Sequence, residues 1–247
     1  HRDLHSFPTR RSSDLEKLKA AGAEISLIEP KPGLPDFVFT ANAGIVRNRR
    51  FIPARFRFQE RQGEEPLNIE WFVQHGFEVL PWPQDVYCEG AGTALFMLND
   101  QDQQTDTIFV AKDFRSDAVA ADHIRDLLGI KVVRVELSDP RFYHLDTCFC
   151  PLPGERAIWY PTAFTQDSQK AVRETFAPEK LFAVNDTPAE GFACNAVHVN
   201  GSVFMNSFDA QLEAWLQSQG FTAVEVPLWE FLKAGGAAKC LTLRINH

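Results

Sequence analysis

The chain has 247 residues, 45% of them hydrophobic and 21 of them phenylalanine, enough to fill the core of one large domain or two small ones. Its 33 acidic residues outnumber 25 Lys and Arg, and a net charge of -8 argues against a nucleic-acid partner, which needs clustered basic residues. No apolar run approaches the roughly 18 residues that span a bilayer, so no membrane partner is expected, and five cysteines without a disulfide-type spacing fit free thiols in a reducing, cytoplasmic compartment.

Residues 1–15 are set apart as a non-native segment, because Phe7-Pro8-Thr9-Arg10-Arg11-Ser12-Ser13-Asp14-Leu15 is the in-frame translation of a common sequencing-adapter oligonucleotide. The native part is expected to be a single domain over 16–247 that lacks its first strand. Within it one phrase recurs: an amphipathic helix, a Gly or Pro break, and a short apolar strand. Leu18 to Gly22 leads into Glu24 to Ile28, Trp71 to Gly76 into Phe77 to Leu80, and Ile124 to Gly129 into Lys131 to Val135. Val172 to Pro178 then leads into Leu181 to Val184, and Leu212 to Gly220 into Thr222 to Val226. The glycines fit helix C-caps. Further strands are expected at Phe37 to Phe39, Ile108 to Val110, Ala157 to Tyr160 and Ser202 to Met205.

The repeating unit is therefore strand, strand, helix, strand, and five such units predict an α/β ring of blades, each helix covering one small sheet. A doubly wound parallel sheet is the alternative, but Gly90-Ala91-Gly92 lacks the spacing of a nucleotide fingerprint. A ring without its opening strand would expose an unpaired edge, which predicts association into a homo-oligomer.

The polar motifs fall at one phase of the repeat. They are Pro35 to Gly44, Glu89 to Gly92, Phe142 to Asp146, Phe192 to Ala196, and Gly235 to Cys240. In a closed ring, equivalent positions converge on the axis, which would gather Asn42, Glu89, His144, Asp146, Asn195 and Cys240 in one cavity. That set reads as a thiol nucleophile, an acid–base imidazole and carboxylates for a cation. Taken singly, the same residues are unremarkable: Cys240 a buried thiol, His144 a structural histidine, Glu89 a loop cap, Asp36 a turn residue. Cys88, Cys148, Cys150 and Cys194 read as core, since the paired spacing of a structural zinc site is missing.

Together, Pro35 to Gly44, Glu89 to Gly92, Phe142 to Asp146 and Gly235 to Arg244 resemble the guanidino-group-modifying enzymes. That superfamily comprises the arginine deiminases, dimethylarginine dimethylaminohydrolases and amidinotransferases, and the arginine dihydrolase and dimethylargininase-like branch is the nearest. The resemblance covers almost everything from Glu16 onward and implies a five-bladed ββαβ propeller, the pentein fold. It implies Cys240 as nucleophile, His144 as general acid and base, and Glu89 and Asp146 as the carboxylates that grip a guanidinium. Arg115 is implied to hold the substrate's α-carboxylate, with Arg61 a second candidate for that task, and Asp36 and Asn42 face substrate from the first motif.

The implied activity is hydrolysis of arginine or a methylated arginine through a covalent thiouronium, with no metal or organic cofactor. The alternatives are an amidinotransferase and a non-catalytic ring domain that binds a partner. Two departures from the family pattern stand out. Thr93 follows the Glu-Gly-x-Gly phrase where relatives often carry an acid. Asn42 stands where deiminases carry an aspartate, and an amide there would retain a neutral ureido product for a second attack.

Overall fold

A computed structural model describes residues 15–245. Each repeat opens with an antiparallel hairpin whose turn is dictated locally. Between β1 (Gly44–Arg47) and β2 (Arg50–Pro53), Asn48 and Arg49 both take positive φ, 48° and 58°, the two-residue turn whose twist matches that of the strands. Asn200 and Gly201 do the same between β10 (Val197–Val199) and β11 (Ser202–Met205). The other two hairpins pair β4 (Ala94–Leu98) with β5 (Gln104–Lys112), and β7 (Phe149–Leu152) with β8 (Arg156–Trp159).

A helix then crosses back and delivers a third strand parallel to the second. The helices are α1 (Glu64–Gln74), α2 (Ala120–Leu128), α3 (Gln166–Thr175) and α4 (Ala210–Ser218). They lead to β3 (Glu78–Val79), β6 (Lys131–Glu136), β9 (Leu181–Ala183) and β12 (Thr222–Glu225). Caps fix the helix ends: Thr165 and Asp209 accept from Ser168 N and Leu212 N. At the far end of α2, Gly129 takes φ 67° while its N–H bonds Arg125 O, a conformation that an L side chain resists.

The described residues thus hold four three-stranded ββαβ sheets. The sequence predicts five repeats, and two of its expected strands are replaced by other structure. Glu24 to Ile28 forms no strand, because no strand among the described residues lies beside it to complete a ladder. The helix before it, over 15–20, packs instead on the fourth sheet, where Lys17 Nζ donates to Glu225 O and Leu18 and Ala21 join the apolar cluster that holds Val224 and Val226. Phe37 to Phe39 also is not a strand: Pro35 starts a 3-10 turn, Pro35–Val38, that buries Phe37, and a second turn, Thr40–Ala43, follows Phe39. Among the described residues, no helix is long and apolar enough to cross a membrane.

Adjoining sheets bury one another's faces. Phe109 on β5 is fully buried, with ring centroids 4.8 Å from Phe149 on β7 and 5.5 Å from Phe176 beyond α3. It therefore ties the second sheet to the third. Short turns precede the first strands: Thr40–Ala43 before β1, Gly90–Gly92 before β4 and Leu145–Thr147 before β7. These turns carry the polar motifs.

Phe109→Ala is expected to cost about 3–5 kcal/mol, because it removes a large side chain from a junction that cannot collapse without moving two sheets. Urea denaturation followed by circular dichroism measures this, and an unchanged midpoint would contradict the inter-sheet core.

Candidate active site

The five polar motifs form a closed circuit. Asn42 Nδ2 donates to Glu89 O at 3.0 Å, and Glu89 Oε2 lies 2.9 Å from His144 Nε2. Two residues on, the carbonyl of Asp146 accepts from Asn195 Nδ2 at 2.9 Å, and Asn195 Oδ1 accepts from Cys240 N at 3.1 Å. Cys240 O then accepts from Ala41 N at 3.1 Å, returning to the first motif. Small residues make these approaches feasible. A Cβ on Gly92 would stand 2.4 Å from Asn42 Nδ2, and one on Gly236 would stand 2.4 Å from the Phe39 ring and 2.9 Å from Cys240 Cβ.

Inside the circuit sit two carboxylates with almost no donors. Glu89 and Asp146 are fully buried. Neither oxygen of Glu89, nor Oδ1 of Asp146, has a hydrogen-bond partner among the described residues. Asp146 Oδ2 accepts from Cys240 Sγ at 3.3 Å, and Asn195 Nδ2 reaches the same sulfur at 3.0 Å. The 2.9 Å approach of His144 to Glu89 is an ion pair out of hydrogen-bond alignment. Buried acceptors without donors are expensive to keep, so the arrangement suits a planar cation carrying several N–H groups.

The titration behaviour follows from burial and neighbours. For His144, burial pulls the pKa down, but the pairing with Glu89, helped by Asp113 and Asp146, holds it above its ordinary value. Burial raises Glu89, yet His144, Arg115 and Arg61 together hold it below the usual carboxylate range. Burial pushes Asp146 up. Burial, and next the charge of Asp146, push the Cys240 thiol well above its ordinary value. The thiol is protonated at neutral pH, and a cation set against Asp146 would favour its ionisation.

Arg115 stands at the edge of this cluster, its Nη1 3.7 Å from Glu89 Oε2 and its guanidinium over the rings of Tyr143 and Phe58. Tyr143 in turn donates from its hydroxyl to Gly235 O. Arg61, grouped with Arg115 in the sequence reading, is placed differently. It is buried, with Nε and Nη2 on the two Glu64 oxygens at 2.8 and 2.7 Å, Nη1 on Asn42 Oδ1 at 3.0 Å, and Nη2 on Asp36 O at 3.2 Å. Four of its five N–H donors are thus engaged by the protein, and one of them orients the Asn42 amide. Asp36 joins the cluster through that carbonyl.

Three contributors escape sequence reasoning or are undervalued by it. Glu64, buried opposite Arg61, is signalled only by its spacing three residues on. Asp113 is half-buried beside Thr93, accepts from its hydroxyl at 2.9 Å and adds a negative charge that raises His144. The acid that the motif lacks at position 93 is thus matched by a carboxylate from a later loop. Asn195 holds the cysteine turn at several points, although its residue type alone suggests only a turn. Of the other thiols, burial pushes Cys88 and Cys150 up to about 12. A separate apolar cavity, lined by Ile45, Phe96, Phe149 and Val197 with Lys239 and Arg244, does not include the catalytic-type cluster.

A ring of turns that brings a thiol, an imidazole and two open carboxylates together, on ββαβ sheets, defines the pentein class of guanidino-modifying folds. The family model described as N,N dimethylarginine dimethylhydrolase, eukaryotic, matches residues 13–247, and the chain belongs to that family. It is 46% identical over 225 residues to a bifunctional arginine dihydrolase/ornithine cyclodeaminase, ArgZ, of Synechocystis sp., a match covering 91% of this chain and 31% of the relative. The chain thus spans about a third of that relative's length. It is 37% identical to the N(G),N(G)-dimethylarginine dimethylaminohydrolase of Mycobacterium tuberculosis, covering 91% of this chain and 71% of the relative. Among solved structures, the N-terminal domain of ArgZ covalently bound to a reaction intermediate superposes with a TM-score of 0.91 and 42% identity, covering 96% of this chain and 85% of that one.

The raised His144 and lowered Glu89 make a sign-specific prediction. A raised histidine contributes stability that is complete below its unfolded value, near 6.5, and is lost as pH rises through the folded one; a lowered glutamate contributes above about 4.5 and is lost on acidification. In an NMR titration the His144 imidazole should therefore stay protonated above pH 6.5, and Glu89→Gln should bring its midpoint down. A midpoint that ignores the substitution would remove Glu89 as its partner.

Proposed function

We propose that this protein is a cysteine-dependent hydrolase of the guanidinium carbon of arginine or a methylated arginine. The observation that carries the reading is the set of three carboxylate oxygens that accept no hydrogen bond from the described residues, two on Glu89 and one on Asp146, buried beside the Cys240 sulfur. A guanidinium supplies the planar charge and the N–H donors that these oxygens lack. The α-carboxylate of the substrate would meet Arg115 at the edge of the cluster, while Arg61 spends four of its five N–H donors on Glu64, Asn42 and Asp36 and sets the Asn42 amide.

In this reading the docked cation offsets the charge of Asp146, and the thiol releases its proton to solvent. The Cys240 thiolate then adds to the guanidinium carbon, held in plane by Glu89 and Asp146. Protonated His144 gives its proton to the departing nitrogen, leaving ammonia or an amine and a covalent thiouronium. Neutral His144 next takes a proton from water, which attacks the same carbon, and the adduct's hydroxyl proton passes to solvent as the ureido product and the thiolate are released. The same reading treats the five motifs as the axial ends of a five-bladed ring, a single catalytic domain that works in the cytoplasm, without metal or organic cofactor, and as a homo-oligomer.

Asn42 favours a second turnover on the first product. Its Oδ1 is on Arg61 and one Nδ2 hydrogen on Glu89 O, which leaves one donor and one acceptor site for a neutral ureido group. An aspartate would keep the bond to Arg61 but set an oxygen about 3.0 Å from the Glu89 carbonyl, where the amide now donates. The 46% identical relative is named an arginine dihydrolase, and the 37% identical one a dimethylarginine dimethylaminohydrolase; the amide favours the first, with arginine carried to ornithine, carbon dioxide and two ammonia.

Ammonia, dimethylamine, citrulline and ornithine released from arginine and from dimethylarginine test this directly. Cys240→Ser is expected to lower turnover by at least about a thousandfold, and substantial residual turnover would remove the thiol from its role. In Asn42→Asp the output from arginine should shift from ornithine towards citrulline. An unchanged ornithine share would sink the second-turnover reading while leaving the first step standing.

A further inference from the structure

The nucleophile's own surroundings pose a problem that the guanidinium alone does not solve. Cys240 is 3% exposed, and its sulfur faces the Asp146 carboxylate at 3.3 Å. Burial and this charge both oppose the thiolate. Once a guanidinium has transferred its positive charge into a covalent adduct and the product leaves, the sulfur again has to exist as an anion in a buried, acidic place. Something has to hold it there at each turnover.

The side-chain amide of Asn195 donates to the sulfur, Nδ2 at 3.0 Å, and together with the Ala237 backbone N–H it opposes the upward pull of burial on the thiol. Asn195 is fully buried, and every part of its side chain is committed. Its Oδ1 accepts from Ala237 N and Cys240 N, both at 3.1 Å, and Nδ2 also donates to Asp146 O at 2.9 Å. The backbone takes part as well, since Lys239 N donates to Asn195 O at 3.2 Å. This fixes the tilt of the amide: with Oδ1 held by two backbone N–H groups, Nδ2 has no choice but to point its hydrogens at the sulfur and at the Asp146 carbonyl. A hydrogen bond to an ionised acceptor is roughly twice as strong as one between neutral groups, so this donor favours the thiolate over the thiol.

We infer that Asn195 is a further catalytic residue, whose side-chain amide stabilises the Cys240 thiolate while its oxygen locks the cysteine turn. The inference rests on Cys240 being the nucleophile, but its test does not require turnover. The probe is iodoacetamide, in which the thiolate displaces iodide and forms a sulfur–carbon bond, with the alkylated cysteine identified by peptide mass spectrometry across a pH series.

In Asn195→Ala both functions are lost, whereas Asn195→Asp keeps an oxygen for the two backbone amides and loses the donor to sulfur. Alkylation of Cys240 at pH 7 is expected to fall at least about tenfold in both variants, with the pH midpoint displaced upward. If the aspartate variant restores the wild-type midpoint, Asn195 is only a clamp and the inference is overturned. A wild-type midpoint in Asn195→Ala overturns it equally.

A measurement on the unmodified protein covers the case in which either variant fails to fold. The Asn195 side-chain amide protons, followed by NMR, should titrate at the same pH as Cys240 alkylation and should stop titrating in Cys240→Ala. Amide resonances that stay fixed through that pH range would overturn the inference. Loss of turnover with these shifts intact would instead count against the proposed hydrolase.

Discussion

Two carboxylates held away from water, with three of their oxygens accepting no hydrogen bond from the described residues, set the terms for the rest of this molecule. Such groups survive only if neighbouring charge and geometry compensate for the lost hydration. His144 supplies the nearest compensation, and Arg115 supplies a second, more distant share at the rim of the cluster. Neither saturates the acceptors. The fold maintains a standing demand for N–H donors at one point, and the thiol sits beside it.

Satisfying that demand from outside requires that the groups inside leave it unsaturated. The protein ensures this by giving its other polar groups fixed duties. Arg61, a further cation felt by Glu89, is held by Glu64 and by the Asn42 oxygen. Thr93 and Ser116 are occupied with Asp113 and with each other. Glycines where motif turns meet remove the side chains that would otherwise fill the space, as the collision between a Cβ on Gly92 and Asn42 illustrates. The openness of the carboxylates is therefore a product of many small commitments around them.

Much of the architecture is legible in the sequence because helix, glycine and β-branched run follow in fixed order; Ile124 to Val135 and Leu212 to Val226 show all three signals and fold accordingly. Phe37 to Phe39 is misleading because alternating bulky residues look like a strand, whereas Pro35 and the need to bury Phe37 and Phe39 on successive turns impose 3-10 geometry. In the site, recurrence at one phase of the repeat points to Glu89, His144, Asp146 and Cys240, which the structure gathers. Spacing cannot say which donors are already engaged. Arg61 and Arg115 look alike as letters, yet one is enclosed by protein acceptors and the other is partly open. The same limit hides Glu64 and Asp113, whose relevance depends on partners brought together by the fold.

The circuit of motifs closes where the segment around Thr40 meets the segment around Leu241, a bond between residues 201 positions apart. Contacts of such long range carry the largest loop-closure cost. A chain that has folded its individual sheets but not yet joined its first and last motifs carries every reactive side chain and none of their combined chemistry. Its carboxylates are still hydrated and its thiol is an ordinary one. Completion of the fold and the onset of that combined chemistry are then a single event.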